Sequence, residues 1–163
     1  MAMNTEGPRP WQEGLPFLLW RAQLAVHRSL QDSIADLGVT MTQLGLAVHL
    51  FELGPLSASD LSRGYRITPQ SVTTNLTQLE RVGWIIRRPH PVHGRIVLNL
   101  LTDAGREGVT AGRARIAEET RALEALLGPD DADTVVAALK RIMVAIDGED
   151  PKVGMLWPLP ENR

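Results

Sequence analysis

The sequence has no cysteine, few aromatic residues and no long apolar run. Zero cysteines among 163 residues exclude disulfides, thiolate nucleophiles, cysteine-ligated zinc and a thiol-based redox switch within this chain. Aromatic residues make up 4% of the chain, so aliphatic side chains must build most of the core, which suits packed helices better than a β-sandwich. No stretch approaches the roughly 20 apolar residues of a membrane span, and no basic segment leads into an apolar run at the amino terminus. We therefore expect a cytoplasmic protein without membrane contact.

Positive charge is concentrated in the middle of the chain. The whole sequence has 17 basic and 19 acidic residues, a formal net charge of −2. Between Ser57 and Leu101, however, the sequence has six arginines and only two acidic residues. A basic middle in an otherwise acidic protein suits a lobe that binds a polyanion such as DNA. Charge alone leaves an ordinary solvated surface as an equal alternative.

Hydrophobic periodicity, together with helix-start and helix-stop residues, predicts six helices. The second carries apolar side chains on two sides, which predicts a central position in the fold. The predicted helices run from about Pro16 to Leu37, from a cap at Thr40 or Thr42 to Phe51, from a cap within 57–60 to Gly64 or Tyr65, from Pro69 to about Val82, from a cap at Thr102 or Asp103 to about Leu127, and from Asp130 or Asp131 to about residue 147.

A β-hairpin is predicted after the fourth helix. Two apolar runs rich in β-branched residues, 84–86 and 96–98, flank residues 87–95, which have the proline and glycine content of a turn and a basic character. Two short helices joined by a tight turn and followed by a hairpin make the order of a winged helix-turn-helix. The predicted fold class is mainly α with a small β-hairpin wing, a winged helix-turn-helix joined to a helical dimerisation region.

The fourth predicted helix has one apolar edge and one polar face. At 100° per residue, Val72, Leu76 and Leu79 share the edge that should be buried. The opposite face carries amides, hydroxyls and one guanidinium, which can bind base edges and phosphates. The alternative is that these groups only keep a surface helix soluble, but the basic hairpin favours DNA binding. The predicted DNA-binding residues are Thr68, Gln70, Ser71, Thr73, Thr74, Thr77, Gln78, Arg81, Arg87, Arg88, His93 and Arg95.

The stretch from Leu37 to Arg106 resembles the DNA-binding core of the MarR family of bacterial transcriptional regulators. TPQSVTTNLTQLERVGWI is similar to the family's recognition helix and the start of its wing, and LTDAGR to the start of its long fifth helix. The helical ends are similar to the family's dimerisation region but less diagnostic. The expected organisation is an N-terminal lead and dimerisation helix (1–37), a winged helix-turn-helix (38–103), C-terminal dimerisation helices (104–147) and an irregular tail (148–163).

Two positions depart from the family pattern. The family wing commonly has an Asp two residues before an Arg that enters the groove, whereas this chain has His93 before Arg95. Arg95 therefore lacks an expected orienting partner. The turn before the recognition helix often has a Gly where this chain has Arg66, which affects the conformation of that turn. Neither departure removes the DNA-binding interpretation.

The first helix offers a candidate effector site. His27 shares an apolar face with Trp20 and Leu24, so a core histidine bonded to a backbone carbonyl is the favoured interpretation. The alternative is a polar anchor in an effector pocket. The resemblance places such a pocket between the dimerisation helices and the DNA-binding lobe, where it often takes phenolic or other aromatic acids. The predicted ligand-binding residues are Trp20, Gln23, His27 and Leu46.

Metal binding and catalysis are disfavoured. His90 and His93 lie three residues apart, but the hairpin has no cysteine or acid to complete a metal site, and phosphate contact is the better interpretation. No Ser-His-Asp spacing, phosphate-binding glycine loop or paired-carboxylate motif is present, so we expect neither an enzyme nor a cofactor.

The function expected from these observations is a sequence-specific, ligand-responsive homodimeric repressor that binds a pseudo-palindromic operator in double-stranded DNA. An apolar stripe on the sixth helix, together with the apolar face of the first, predicts the dimer interface. The alternative is a winged-helix protein-interaction module without its own operator, which an acidic or apolar fourth helix would support. The stripe consists of Val136, Leu139, Met143 and Ile146.

Overall fold

A computed structural model describes residues 10–65 and 67–148, which form six α-helices and one three-stranded antiparallel sheet. This architecture confirms the predicted fold class. Short 3₁₀ turns at Trp11–Glu13 and Ala35–Leu37 precede and follow the first helix. The elements are α1 (Leu15–Ser33), α2 (Met41–Leu53), β1 (Leu56–Ser57), α3 (Ala58–Tyr65), α4 (Pro69–Arg81), β2 (Ile85–Pro89), β3 (Val97–Leu101), α5 (Asp103–Leu127) and α6 (Pro129–Asp147).

The connection between α1 and α2 corrects one predicted boundary. We predicted that the first helix reaches Leu37, but α1 ends at Ser33 and the chain tightens into a 3₁₀ turn, which ends at Gly38 with φ of +70°. At the start of α2, the Thr40 hydroxyl accepts from the Gln43 amide at 3.2 Å, and the Gln43 side chain accepts from the Thr40 amide at 3.0 Å. This reciprocal capping box identifies Thr40 as the helix cap.

Helix α2 lies at the centre of the fold, as its two apolar sides predicted. Every residue from Gln43 to Leu50 is buried. The predicted apolar edge of α4 also packs into this core, with Val72, Leu76 and Leu79 between 0% and 2% exposed. Aliphatic side chains from α2, α3, α4, β2 and α5 therefore make a closed core for the middle of the chain.

The sheet is larger than the predicted hairpin and its turn is shorter. Strand β3 lies in the middle, paired with β1 on one side and β2 on the other. The two-residue strand β1 was missed because two residues show no periodicity. Arg87 and Arg88, predicted to lie in the turn, belong to β2 and face Asn99 and Leu98 across the ladder. Charged residues are tolerated there because β2 is an edge strand with exposed side chains.

Close packing joins the start of the wing to α5. A Cβ atom built on Gly108 would lie 2.3 Å from Cζ2 of Trp84, and one on Gly105 would lie 2.1 Å from the Trp84 carbonyl oxygen. Only glycine permits these approaches, and they leave Trp84 7% exposed. The base of the wing is therefore fixed to the longest helix.

The outer helices expose apolar side chains in the single chain. Trp20 on α1 is 54% exposed, and on α6 Val136 is 46% and Ile146 is 78% exposed. None of the helices within 10–65 and 67–148 is long and apolar enough to cross a membrane. Gly148 ends α6 with φ of +78°. The remainder of the predicted irregular tail, and the predicted effect of Arg66, lie outside the described residues.

Candidate nucleic-acid interface

The start of α4 is held by a cap and by the preceding helix. The Thr68 hydroxyl accepts a hydrogen bond from the Ser71 amide at 3.2 Å, and Pro69 occupies the first helical position, where no amide is needed. In α3, the Ser62 hydroxyl donates to the Ile67 carbonyl at 2.7 Å. These contacts fix where α4 begins relative to α3. The two helices thereby form the helix-turn-helix pair that the sequence predicted.

The outward face of α4 is polar and exposed. Gln70, Thr73, Thr74, Thr77 and Arg81 are exposed, whereas Ser71 and Gln78 are half-buried at its margins.

Sequence reasoning omitted Asn75, which lies half-buried on this helix. Its side-chain amide donates to the Ser71 carbonyl at 2.8 Å, so one of its donors is already used within the helix.

The threonine hydroxyls of α4 donate into their own helix. Thr73 donates to the Pro69 carbonyl at 2.9 Å, Thr74 to the Gln70 carbonyl at 3.0 Å, and Thr77 to the Thr73 carbonyl at 2.9 Å. With the hydroxyl hydrogen used, a threonine offers its methyl group and its oxygen lone pairs. Such a surface can contact the methyl group of thymine or accept from the amino groups of adenine and cytosine.

Arg87 connects the wing to α4. Its terminal nitrogen donates to the Thr77 hydroxyl at 2.9 Å, and its Nε lies 3.2 Å from a Glu80 carboxylate oxygen. We predicted that Arg87 lies in the turn of the hairpin, but the structure places it on β2 beside an acid that partly offsets its charge. Its contact with DNA stays a prediction. The sequence did not indicate the contact between Arg87 and Glu80, because it depends on the turn at Gly83 that reverses the chain between them.

The tip of the wing comprises residues 90–96. The His90 amide donates to the Ile96 carbonyl at 2.7 Å, and the Ile96 amide donates to the His93 carbonyl at 2.8 Å. The His90 imidazole is itself part of this tip, since its Nδ1 accepts from the amides of Val92 and His93, each at 3.1 Å.

Two arginines and one histidine predicted to contact DNA from the wing are exposed. Arg88, His93 and Arg95 all reach solvent, and the rings of His90 and His93 lie 5.2 Å apart between centroids. Within the described parts of the chain, no three His, Cys, Asp or Glu residues are grouped closely enough to hold a metal ion.

The predicted effector residues do not share one environment. Trp20, Gln23 and His27 are exposed on α1, whereas Leu46 is fully buried in the core. The favoured prediction of a core histidine at position 27 is wrong for the single chain, because that part of α1 faces solvent and not the core. Sequence reasoning missed the buried histidine, His49, which is 3% exposed and places Nδ1 2.9 Å from the Gly45 carbonyl oxygen.

Sequence comparison decides the family. The MarR family profile matches residues 39–97, from the end of the α1–α2 connection to the start of β3. An HTH-type transcriptional regulator of Mycobacterium leprae is 33% identical over 128 residues, which cover 77% of this chain and 88% of that protein. The chain belongs to the MarR family. A Bacillus subtilis HTH-type regulator, YdgJ, is 37% identical over 76 residues, and the matched stretch spans 46% of its length.

Solved structures show the same fold bound to DNA. The MarR-family chain superposes on the transcriptional repressor CouR, bound to a 23-mer duplex, with a TM-score of 0.75, 25% identity and coverage of 85% of this chain and 99% of that one. A mutant of Escherichia coli MarR complexed with operator DNA gives a TM-score of 0.72 at 21% identity, covering 83% and 99% of the two chains, and shows the shared fold. The protein is therefore a DNA-binding transcriptional regulator of the winged helix-turn-helix type.

Proposed function

We propose that the protein is a homodimeric, ligand-responsive repressor that reads a pseudo-palindromic operator. The observation that carries this proposal is the exposed polar face of α4, which is held on the buried edge formed by Val72, Leu76 and Leu79 beside a wing with exposed arginines. The face is neither acidic nor apolar, which disfavours a module that binds only protein. An HTH-type transcriptional repressor of Mycobacterium tuberculosis, 28% identical over 120 residues, supports repression as the direction of control.

Helix α4 and the wing have different tasks in this proposal. Base reading falls to α4, because amides and threonine methyl groups discriminate between base edges in the major groove. The wing binds phosphates or the minor groove, where charge matters more than base identity. Arg87 contributes by joining the two, through Thr77 and Glu80. The proposed DNA-contacting residues are Thr68, Gln70, Ser71, Thr73, Thr74, Thr77, Gln78, Arg81, Arg88, His93 and Arg95.

A second copy would cover the exposed apolar faces of α1 and α6. Large exposed apolar patches on a soluble protein mark an interaction site, and residues such as Leu15 at 61% and Ile146 at 78% exposure form these faces. A twofold axis through this contact would place two recognition helices on one face of the DNA. The half-site centres would then lie about 34 Å apart, one turn of the duplex.

The effector would bind near Trp20, Gln23 and His27, beside the dimer contact. Trp20 belongs to a row of aromatic rings in which the Phe17 and Trp20 centroids are 5.7 Å apart, and such rings favour a flat, aromatic ligand. Leu46 would line the site only if binding opened the core around it. The ligand would weaken DNA binding by favouring a dimer whose recognition helices are wrongly spaced.

Selection of bound duplexes from a random 30-base-pair library, paired with sedimentation at micromolar concentration, tests the proposal. We expect a dimer and an enriched sequence with two inverted half-sites about one turn apart. A dimer that enriches no sequence would support the protein-interaction module instead, and a monomer that enriches a single half-site would contradict the twofold arrangement. Ligand response is tested by screening aromatic acids against the enriched duplex, with Trp20→Ala and His27→Ala as the variants expected to lose it.

A further inference from the structure

The His90 side chain accepts two backbone hydrogen bonds at the tip of the wing. Its Nδ1 lies 3.1 Å from the amide nitrogens of both Val92 and His93, two and three residues further along the chain. The imidazole thereby does what an Asn or Asp side chain does when it closes a turn by accepting from following amides. Its own amide closes the other side of the tip, by donating to Ile96 at 2.7 Å.

This arrangement requires one form of the imidazole. A nitrogen that accepts cannot carry a hydrogen, so the ring is neutral and its hydrogen is on Nε2. Protonation of Nδ1 would point an N–H group at two other N–H groups. The charged ring would therefore release the amides of Val92 and His93.

We propose that His90 is the positioning residue of the wing, and that its neutral imidazole holds the tip in the shape that presents Arg95 to DNA. Arg95 lies one residue before Ile96, whose amide and carbonyl both bond within the tip. Its backbone direction is consequently set by the same turn. The role of this turn in DNA binding rests on the proposed function, whereas its closure by His90 does not.

Two substitutions of His90 distinguish the role of its hydrogen-bond acceptor from the role of its ring. In His90→Asn, Oδ1 replaces Nδ1 at the same number of bonds from the backbone, so the acceptor is kept and the ring is lost. In His90→Phe, a ring remains to pack against His93 and the acceptor is lost. His93→Asn is the matched control, because it makes the same change three residues later at a ring that does not accept these bonds.

The direct readout is exchange of the Val92 and His93 amide hydrogens with solvent, measured by NMR at pH 8. His90→Phe should speed exchange about tenfold, the effect of losing one or two hydrogen bonds. His90→Asn should stay within about threefold of the wild type, and His93→Asn should keep the Val92 amide protected. Unchanged exchange in His90→Phe would overturn the proposal. Failure of His90→Asn to preserve protection would also overturn it, since only an acceptor should be needed.

The second readout is the affinity for herring-sperm DNA at pH 8. His90→Phe loses the acceptor, so the turn before Arg95 is no longer closed and binding should weaken. His90→Asn keeps the acceptor and should bind like the wild type.

We expect His90→Phe to weaken binding by about threefold or more and His90→Asn to stay within about twofold of the wild type. Equal affinities of His90→Phe and the wild type would overturn the role of His90 in positioning the wing. If neither the wild type nor the variants bound DNA, the proposed function would fail, and amide exchange would still decide whether His90 closes the turn.

Discussion

The DNA-binding lobe and the outer helices differ in how completely one chain buries their apolar side chains. From α2 to β3, the aliphatic residues form a closed core, in which Leu46, Val72 and Leu79 are fully buried. On α1 and α6, by contrast, many apolar side chains face solvent in the single chain. The core of the lobe is covered within one chain, whereas the apolar faces of the outer helices are left uncovered in the single chain. We therefore expect substitutions in the core of the lobe to change stability, and substitutions on the apolar faces of α1 and α6 to change assembly.

The largest expected effect is loss of core packing in the lobe. Leu79→Ala should lower the free energy of unfolding by about 2 to 5 kcal/mol, because it removes a fully buried side chain from α4 and leaves a cavity. Denaturant unfolding followed by circular dichroism measures this change. The matched variant is Leu139→Ala, which makes the same truncation at a side chain that is 38% exposed on α6.

Protein concentration distinguishes these two variants. The loss caused by Leu79→Ala should be the same at every concentration, since the contact lies within one chain. The loss caused by Leu139→Ala should appear as weaker dimerisation, so that its unfolding midpoint depends less on concentration than that of the wild type once the variant dimer begins to dissociate. Equal, concentration-independent losses would remove the distinction between the two regions.

Because α5 packs closely against the base of the wing, one glycine-to-alanine substitution in this helix should destabilise the protein. In the interior of a helix, Gly→Ala ordinarily stabilises by up to about 1 kcal/mol. Gly108→Ala should instead destabilise by about 1 to 3 kcal/mol, because the new methyl group would lie 2.3 Å from the Trp84 ring. Thermal unfolding measures whether the substitution lowers the stability. The control Gly94→Ala adds the same methyl group where nothing lies within 4 Å, so it should change the free energy of unfolding little.

The apolar stripe on α6 predicts a defined change in assembly. Ile146→Asp places a charge on a side chain that is 78% exposed in the single chain, so it should leave the folded monomer nearly unaffected. In a dimer that buries this position, the unpaired charge should weaken association at least tenfold. Sedimentation over a dilution series measures the dissociation constant of the dimer. A dissociation constant equal to that of the wild type would exclude Ile146 from the interface.

The bridge between the wing and α4 should have the smallest effect. Arg87→Ala should lower the free energy of unfolding by less than about 1 kcal/mol, because the ion pair with Glu80 is partly exposed and screened by solvent. Its effect on DNA affinity should be small at low salt and nearly equal for all sequences. The comparison variant is Arg88→Ala, which removes the same charge at the next residue of the same strand, a proposed DNA contact. A base-specific loss in Arg87→Ala would mean that Arg87 reads DNA directly.

The sequence predicted those parts of the fold that depend on local rules. Helix caps, glycine stops and the apolar edge of α4 follow from spacing alone, and Thr40, Thr68 and Thr102 all cap helices. The bounds of α5 agree with the prediction, because a threonine cap and the Gly128-Pro129 stop act on the backbone directly.

Contacts between elements could not be predicted in the same way. The contact of Arg87 with Thr77 and Glu80 depends on how the wing folds back on α4, which no local pattern specifies. The environment of His27 was misjudged for a related reason. An apolar face shows that a helix packs on something, but not whether that is its own core or a second chain. The sequence pattern likewise did not indicate that the His90 imidazole would accept two backbone amides.

If α4 reads bases while the wing supplies charge, the dependence of affinity on salt concentration should distinguish the two. The measurement compares the selected duplex with a scrambled duplex for the wild type, Gln70→Ala and Arg95→Ala. Gln70→Ala should cost about 1 to 3 kcal/mol on the selected duplex only, and leave the salt slope unchanged. Arg95→Ala should weaken binding to both duplexes and reduce the slope. Loss of binding to the selected duplex alone in Arg95→Ala, with an unchanged slope, would mean that the wing reads sequence.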